Sequence, residues 1–421
     1  MDIAQDGNLF PREDILEAVA QSDWRDQPVP AAAWWITSIG LAVLAFGTPV
    51  LAPLAMEPTT FAAARDRLAV HPLHALAGWI GGLGIGIESA WYLLSALGFG
   101  LSLPVLGVAL RWLGIGPRLA LVTALVSLFT PIAVLHGRLP SDFTAGVLGS
   151  SVVLAMAFAP SDPGRAGNRG YGIRLALAFL IAVLLHPFNL ALIVPLLFAA
   201  RARGGITAML PVIGAGFLAA ITAPDLMAAS AGQVLRRTDA LLGFGGLIVP
   251  TVLAWRGSRE EEPPPTWLGV WWGVALAVSI FSSVSGKGPA SPMLLPAYAA
   301  LVAGALARFA RPDNAFRVAG ALAVLHAALI AALPWLQTPT DSMGLAAARP
   351  ALFEEGDHVR LTPAQDATTA AYLLRRRFGL PVDLVGEPMT PPSRRTIGLA
   401  PNALGLPWTL DPETGTLTAY E

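Results

Sequence analysis

From about residue 31 to about residue 335 the chain alternates apolar runs of roughly helical-span length with short polar joints. Eleven such runs can be marked, at about 31–53, 89–113, 118–136, 143–160, 173–185, 187–200, 206–222, 241–255, 268–284, 293–309 and 317–335. The fifth and sixth come from one stretch of about 27 residues interrupted by His186-Pro187-Phe188-Asn189. That stretch is too long for one comfortable span and too short for two full ones, so the pattern alone does not decide how it is crossed.

The charges in the joints decide it. With the amino terminus inside and a break at His186, the inner joints hold Arg111 and Arg118, then Arg165, Arg169 and Arg174, then Arg201 and Arg203, then Arg256 and Arg259, then Arg308, Arg311 and Arg317. This is the arrangement that Lys/Arg bias favours, whereas one unbroken span would place Arg201 and Arg203 outside. Eleven spans then put the carboxyl terminus outside. Residues 1–30 form a cytoplasmic amino-terminal segment whose stretch from Pro11 to Trp24 carries Ile15, Leu16, Val19 and Trp24 roughly on one face, as a helix lying on the membrane surface would. Because these residues are polar and the first long apolar run follows at Ala31, that run reads as a signal anchor and not as a cleaved leader.

Composition sharpens the class. Only 13% of the 421 residues are charged, against about a quarter in a soluble chain. The pattern and this depletion together predict an all-α polytopic membrane protein of about eleven helices, with a small α/β appendage beyond it. The formal net charge of −1 and the lack of a Lys/Arg-rich tract argue against nucleic acid as a partner. The absence of Cys removes disulfides, thiolate nucleophiles and Cys metal sites.

Three units follow: the amino-terminal segment 1–30, the transmembrane unit 31–335 and an external unit 336–421. Within the second, the first outer loop at 54–88 holds two helix-like pieces, Pro58 to Ala69 and Pro72 to Ile87, suited to lying along the interface. In the third, Thr362-Pro363-Ala364-Gln365 is a capping box with Pro at the first helical position, predicting a helix to about Phe378. Strand-like pieces follow at 381–385, 396–400 and 416–420.

Ionisable residues at membrane depth are costly, so their presence is a functional hypothesis by default. They gather on the predicted outer face. Glu57 and Asp142 are the candidate catalytic acids, each just outside a span. Asp142 also follows Ser141 ahead of an apolar run, so it either caps the helix from Phe143 or faces a cavity at the membrane edge. Arg65, His71, His136, Arg138, His186, Arg236, Arg237 and Lys287 are the candidate substrate-binding residues. Arg grips phosphate bidentately and Lys supplies a point charge. Pro187 after His186 opens the backbone, which membrane helices tolerate where they line a cavity. His136 and His186 without a spaced third ligand do not make a metal motif; whether a divalent ion joins the carboxylates stays open. The glycines of Gly81-Gly82-Leu83-Gly84-Ile85-Gly86 lack the strand-before, helix-after context of a nucleotide site and suit bending or close packing.

Several stretches together resemble one family. Met56-Glu57-Pro58-Thr59-Thr60-Phe61-Ala62-Ala63-Ala64-Arg65 resembles a first-loop motif of an Asp-Glu pair, an aromatic and an Ala-Arg, and His71-Pro72-Leu73 resembles the Pro-containing segment after it. Thr130-Pro131 through Ser141-Asp142 resembles a third-span Pro and a fourth-span acid. Phe281-Ser282-Ser283-Val284-Ser285-Gly286-Lys287, with Leu295-Pro296-Ala297-Tyr298, resembles a serine-rich basic outer loop and the helix beyond it. The family is that of the GT-C glycosyltransferases, in the protein O-mannosyltransferase-like branch that includes the lipid A aminoarabinose transferases. The resemblance covers about 31–335, and the tail is similar only in being external.

The resemblance implies a multi-pass enzyme of a bacterial-type cytoplasmic membrane, active at the outer face. Its donor would be a polyprenyl-phosphate sugar, its acceptor a lipid, glycan or protein, and membrane lipids would surround it. One departure matters: where the family has the acid proposed to activate the acceptor, this chain has Met56. Either Glu57 takes that role, or Asp66 does, or the chain is a silent scaffold with a protein partner. A transporter using the His186 break is a further alternative, against which stands the gathering of charges at one face.

Overall fold

The computed structural model describes residues 27–51, 72–85, 87–137, 142–160, 165–229, 266–285, 292–307 and 312–336, together with five short strands in the last 65 residues. The chain is an all-α polytopic membrane protein through the helical part, and its apolar runs become helices close to where the pattern puts them. These are α1 (Ala31–Leu51), α2 (Pro72–Ile80) continued by a π-helical turn (Gly81–Ile85), α3 (Ile87–Trp112), α4 (Pro117–Leu128), α5 (Pro131–Gly137), α6 (Phe143–Phe158), α7 (Arg165–Leu185), a 3-10 turn (Pro187–Leu192), α8 (Ile193–Ala229), α9 (Thr266–Ser285), α10 (Leu294–Ala307) and α11 (Pro312–Leu336). Among the described residues three stretches, Ser89–Trp112, Asn168–Leu185 and Pro187–Thr222, are long and apolar enough to cross a membrane, and shorter apolar helices surround them. The run at 241–255, the surface helix at 11–24, the loop helix at 58–69 and the capping-box helix at 362–378 lie outside the described residues.

Two differences from the sequence pattern have clear causes. The run at 118–136 is not one helix: α4 ends at Leu128, and α5 restarts at Pro131, whose ring and missing N–H cannot continue the preceding ladder. Thr130 Oγ1 donates to Ser127 O at 2.9 Å, which satisfies a carbonyl released at that break. α7 begins at Arg165, several residues before the apolar run. Its polar first turns are tied down at the end of α6, where Tyr171 OH donates to Ala157 O at 3.0 Å and Arg174 to Pro160 O at 3.3 Å; from α8, Arg203 donates to Ala159 O at 2.8 Å. Arg203 also lies over the Tyr171 ring, 5.8 Å from its centre.

The joint expected between the sixth and seventh runs is a single residue wide. α8 continues as one hydrogen-bonded element except at Gly205, whose φ of 60° and ψ of −152° reverse the chain. That conformation is open to glycine and strained for other residues. The arm after the turn meets α7 at Gly172 and Ala208, and α7 with α8 makes the most extensive helix contact among the described residues. Close approach there depends on a small residue, since a Cβ on Gly172 would run into the Ala208 backbone; within α8 itself, one on Gly204 would meet the Ala208 Cβ across the turn at 2.5 Å. Gly172→Val should therefore lower stability by on the order of 3 kcal/mol, read as a fall in the thermal midpoint of the detergent-solubilised protein. α1 and α3 pack by the same device. Ser38 Oγ donates to Gly100 O at 2.7 Å, where a side chain on Gly100 would collide with Ser38 O.

α10 is short, 14 residues and about 21 Å, yet ten of its residues are buried. It sits among α4, α6, α9 and α11. The turn before it enters well inside the bundle, because Pro292 O lies 3.5 Å from Ser150 Oγ, about 12 Å along α6 from its start. Trp271 Nε1 donates to Met293 O at 2.9 Å and secures that turn from α9.

The carboxyl-terminal strands are β1 (Asp357–Leu361), β2 (Val382–Leu384), β3 (Arg395–Leu399), β4 (Trp408–Leu410) and β5 (Thr416–Ala419), in the order β2-β1-β3-β5-β4. β1 pairs parallel with β2 and β3, β3 parallel with β5, and β4 closes the edge antiparallel to β5. Three of the strands, β2, β3 and β5, fall on the strand-like pieces of the sequence, and β1 and β4 lie outside those pieces.

Candidate active site at the start of helix α6

Of the ten candidate site residues, Asp142 and His186 have described side chains, and the fold brings these two together. Glu57, Arg65, His71, Arg138, Arg236, Arg237 and Lys287 lie outside the described residues, as do Met56 and Asp66, and His136 is placed only as part of the last turn of α5.

Asp142 stands at the N-cap position of α6 without acting as a side-chain cap. Its φ of −77° and ψ of −5° are helical, and it makes no side-chain cap hydrogen bond. An N-cap residue normally adopts extended angles, which carry its side-chain oxygen back over the first free N–H groups; helical angles carry it away. The carboxylate turns instead toward His186, with Oδ1 3.6 Å from Nε2. The His186 side chain is fully buried and that of Asp142 is 6% exposed. A carboxylate so placed is tolerated when a partner offsets its charge, and with a protonated imidazole the pair is neutral as a whole.

His186 owes its position to the proline after it. α7 ends at Leu185, and His186 is extended at φ −159° and ψ 118°, as a residue before proline prefers. Its N–H still closes the last turn onto Ala182 O at 3.0 Å, and its own carbonyl accepts from Asn189 N at 3.0 Å, so the backbone turns sharply without losing either group. Phe188 lies beside the imidazole, with ring centres 5.6 Å apart.

Two residues that the sequence pattern did not nominate complete the junction. Gly146, one turn into α6, allows His186 and Pro292 to approach: a Cβ there would lie 2.6 Å from His186 Cβ and 2.7 Å from Pro292 Cγ. Asn189, fully buried, donates from Nδ2 to Gly146 O at 3.1 Å and to Ala182 O at 2.9 Å. An Asn immediately after a proline break in an apolar run was a legible signal for Asn189; nothing in the sequence marks Gly146. A second buried histidine, His326 of α11, was also not nominated, and it lies beside Tyr298 with ring centres 6.4 Å apart. Among the described residues no group of three or more His, Asp or Glu gathers as a metal site would.

The arrangement offers a buried carboxylate at the start of α6 with an imidazole 3.6 Å away. Such a group can accept or hold the proton of a hydroxyl brought against it.

No family model and no curated protein sequence matches the chain. Solved structures do match in fold. The crystal structure of ArnT from Cupriavidus metallidurans bound to undecaprenyl phosphate superposes with a TM-score of 0.52 at 15% identity, covering 86% of this chain and 87% of that one. The apo state of ArnT gives 0.50 at 17% identity, covering 85% and 86%. At this identity the likeness is one of fold: the chain is a polytopic membrane protein whose fold is similar to that of ArnT, a likeness that agrees with the resemblance read from the sequence.

Proposed function

We propose that the chain is a membrane glycosyltransferase that moves a sugar from a polyprenyl-phosphate donor to a hydroxyl of a lipid, glycan or protein acceptor at the outer face of the cytoplasmic membrane. The observation that carries this reading is the buried Asp142–His186 pair at one end of a bundle whose fold is shared with a structure holding undecaprenyl phosphate. A lipid-linked donor suits such a bundle, since its tail can lie between helices while its head reaches the polar end.

In the proposed reaction the acceptor hydroxyl loses its proton to a carboxylate, that of Asp142 or of Glu57, as its oxygen bonds to the anomeric carbon. The bond from that carbon to the phosphate oxygen breaks, and polyprenyl phosphate leaves with the electron pair. Arg138, Arg236, Arg237 and Lys287 are the cations proposed to offset the charge gathering on the phosphate. His186, 3.6 Å from the carboxylate, is the group proposed to offset its charge when the imidazole is protonated.

Purified full-length chain, offered a panel of labelled polyprenyl-phosphate sugars, should release or transfer sugar from at least one of them. Glu57→Gln, run beside it, separates the two carboxylates: if Glu57 replaces the acid missing at position 56, that variant is inactive. No turnover with any donor from a folded, monodisperse protein would overturn the proposal. A stoichiometric protein partner held through purification in mild detergent would then favour the scaffold reading that Met56 suggests.

A further inference from the structure

We infer that Asn189 is a positioning residue for the Asp142–His186 pair, one amide setting the separation of two helix ends. The inference rests on the glycosyltransferase reading for its effect on turnover, but its geometry stands apart from that reading.

Asn189 Nδ2 makes two hydrogen bonds, and each falls one helical turn from a member of the pair. On the α6 side it donates to Gly146 O, and Gly146 N in turn donates to Asp142 O at 2.8 Å, closing the first turn of that helix. On the α7 side it donates to Ala182 O, the carbonyl that also receives the His186 N–H. The carboxylate and the imidazole are thus each one backbone hydrogen bond away from the same amide nitrogen. Because both partners are carbonyl oxygens, the orientation of the amide is fixed: an amide oxygen in that place would face two acceptors.

The surroundings leave little freedom to replace this link. Asn189 and His186 are fully buried. Gly146 O also receives Ser150 Oγ at 2.9 Å, so the point where Asn189 holds α6 is itself pinned from within that helix. Pro187 removes an N–H that would otherwise have continued α7, and the side chain of Asn189 reaches back to the last turn of that helix, adding a second donor at the Ala182 carbonyl that His186 N already reaches. An apolar residue of similar size would fill the volume and leave α6 and α7 joined here by packing alone. In a reaction whose rate depends on placing a carboxylate against a hydroxyl, a shift of about 1 Å costs far more in turnover than in binding.

The test uses the full chain in detergent with ring nitrogen-15 label in its six histidines, the His186 signals being identified by their loss in His186→Gln. Asn189→Asp keeps the shape and removes both N–H donors, leaving at most one O–H donor where the carboxyl is protonated against the two carbonyls. It should move the His186 ring signals while leaving the other histidines in place, and should lower kcat about tenfold or more with KM within about twofold. Asn189→Ser, which keeps one hydroxyl donor, should recover part of kcat. Unmoved His186 signals in folded Asn189→Asp, or a change in KM with kcat intact, would overturn the inference. Should Asn189→Asp fail to fold, Asn189→Ser decides by the same two readouts. If the unaltered chain turns over no donor, the glycosyltransferase reading falls, and the ring signals still decide whether Asn189 sets the pair.

Discussion

Asp142→Asn is expected to abolish sugar transfer, with a loss on the order of 100-fold to 10,000-fold, while the protein still inserts, purifies as a single species and melts where the unaltered chain does. Asn is nearly the same size as Asp and caps helices about as well, so if Asp142 served only to begin α6, the substitution would be neutral in both activity and stability. The backbone angles at Asp142 and the absence of a side-chain cap bond already argue against that role. What Asn cannot do is accept a proton. Turnover of a labelled polyprenyl-phosphate sugar, with thermal melting of the same preparation, checks the expectation; full activity in the variant would remove Asp142 from the mechanism.

The second large effect is expected at Gly146. Any side chain there would meet His186 Cβ at 2.6 Å and Pro292 Cγ at 2.7 Å, separations that real Cβ atoms do not show. Gly146→Val must push apart three elements: the end of α7, the turn before α10 and α6 itself. Stability should fall by on the order of 3 kcal/mol, and transfer should fail even at temperatures where the variant remains folded, because His186 is displaced from Asp142. Gly304→Ala on α10 is the matched control, since nothing lies within 4 Å of a Cβ at that site. That variant should melt and turn over like the parent. Equal tolerance of both substitutions in paired melting and turnover assays would mean that the junction at Gly146 is looser than its contacts imply.

Much of the helical architecture was legible in the sequence because a bilayer restricts the choices. An apolar run of span length has to be helical, and Arg at joints fixes where one run ends and the next begins. Arg201 and Arg203 pointed to a joint, and the chain does turn there, at Gly205. The interruption at His186-Pro187 was visible for the same reason: proline and a buried ionisable residue both oppose a continuous apolar helix. The division of the third run at Pro131 was less visible, since proline is tolerated inside many membrane helices and only tertiary packing decides whether it bends or breaks them.

The site was legible only as a set of residues and not as a geometry. Asp142 and His186 were both nominated, yet nothing in the order of the chain says that the start of α6 and the end of α7 meet with 3.6 Å between those side chains. That meeting depends on Gly146 having no side chain and on Asn189 bonding in two directions. Glycine in an apolar run is ordinarily a packing device, and an Asn two residues after a proline is ordinarily a turn residue. Periodicity and spacing carry no information about which particular pair of helices such residues join.

The shortness of α10 has a consequence for how the molecule comes to be made. Facing lipid by itself, a helix of about 21 Å would fall short of the roughly 30 Å hydrocarbon layer and would have to thin the bilayer around it. It escapes that cost by lying against α4, α6 and α9, all of which leave the ribosome before it does. Most of the slot is therefore formed by earlier products of synthesis, and α11, which follows, packs on α10 last. Only when α10 arrives does the Pro292 turn come to rest on Gly146 and His186, so the polar junction is among the last parts to be completed, and a chain truncated before residue 292 would carry Asp142 and His186 without the turn that encloses them.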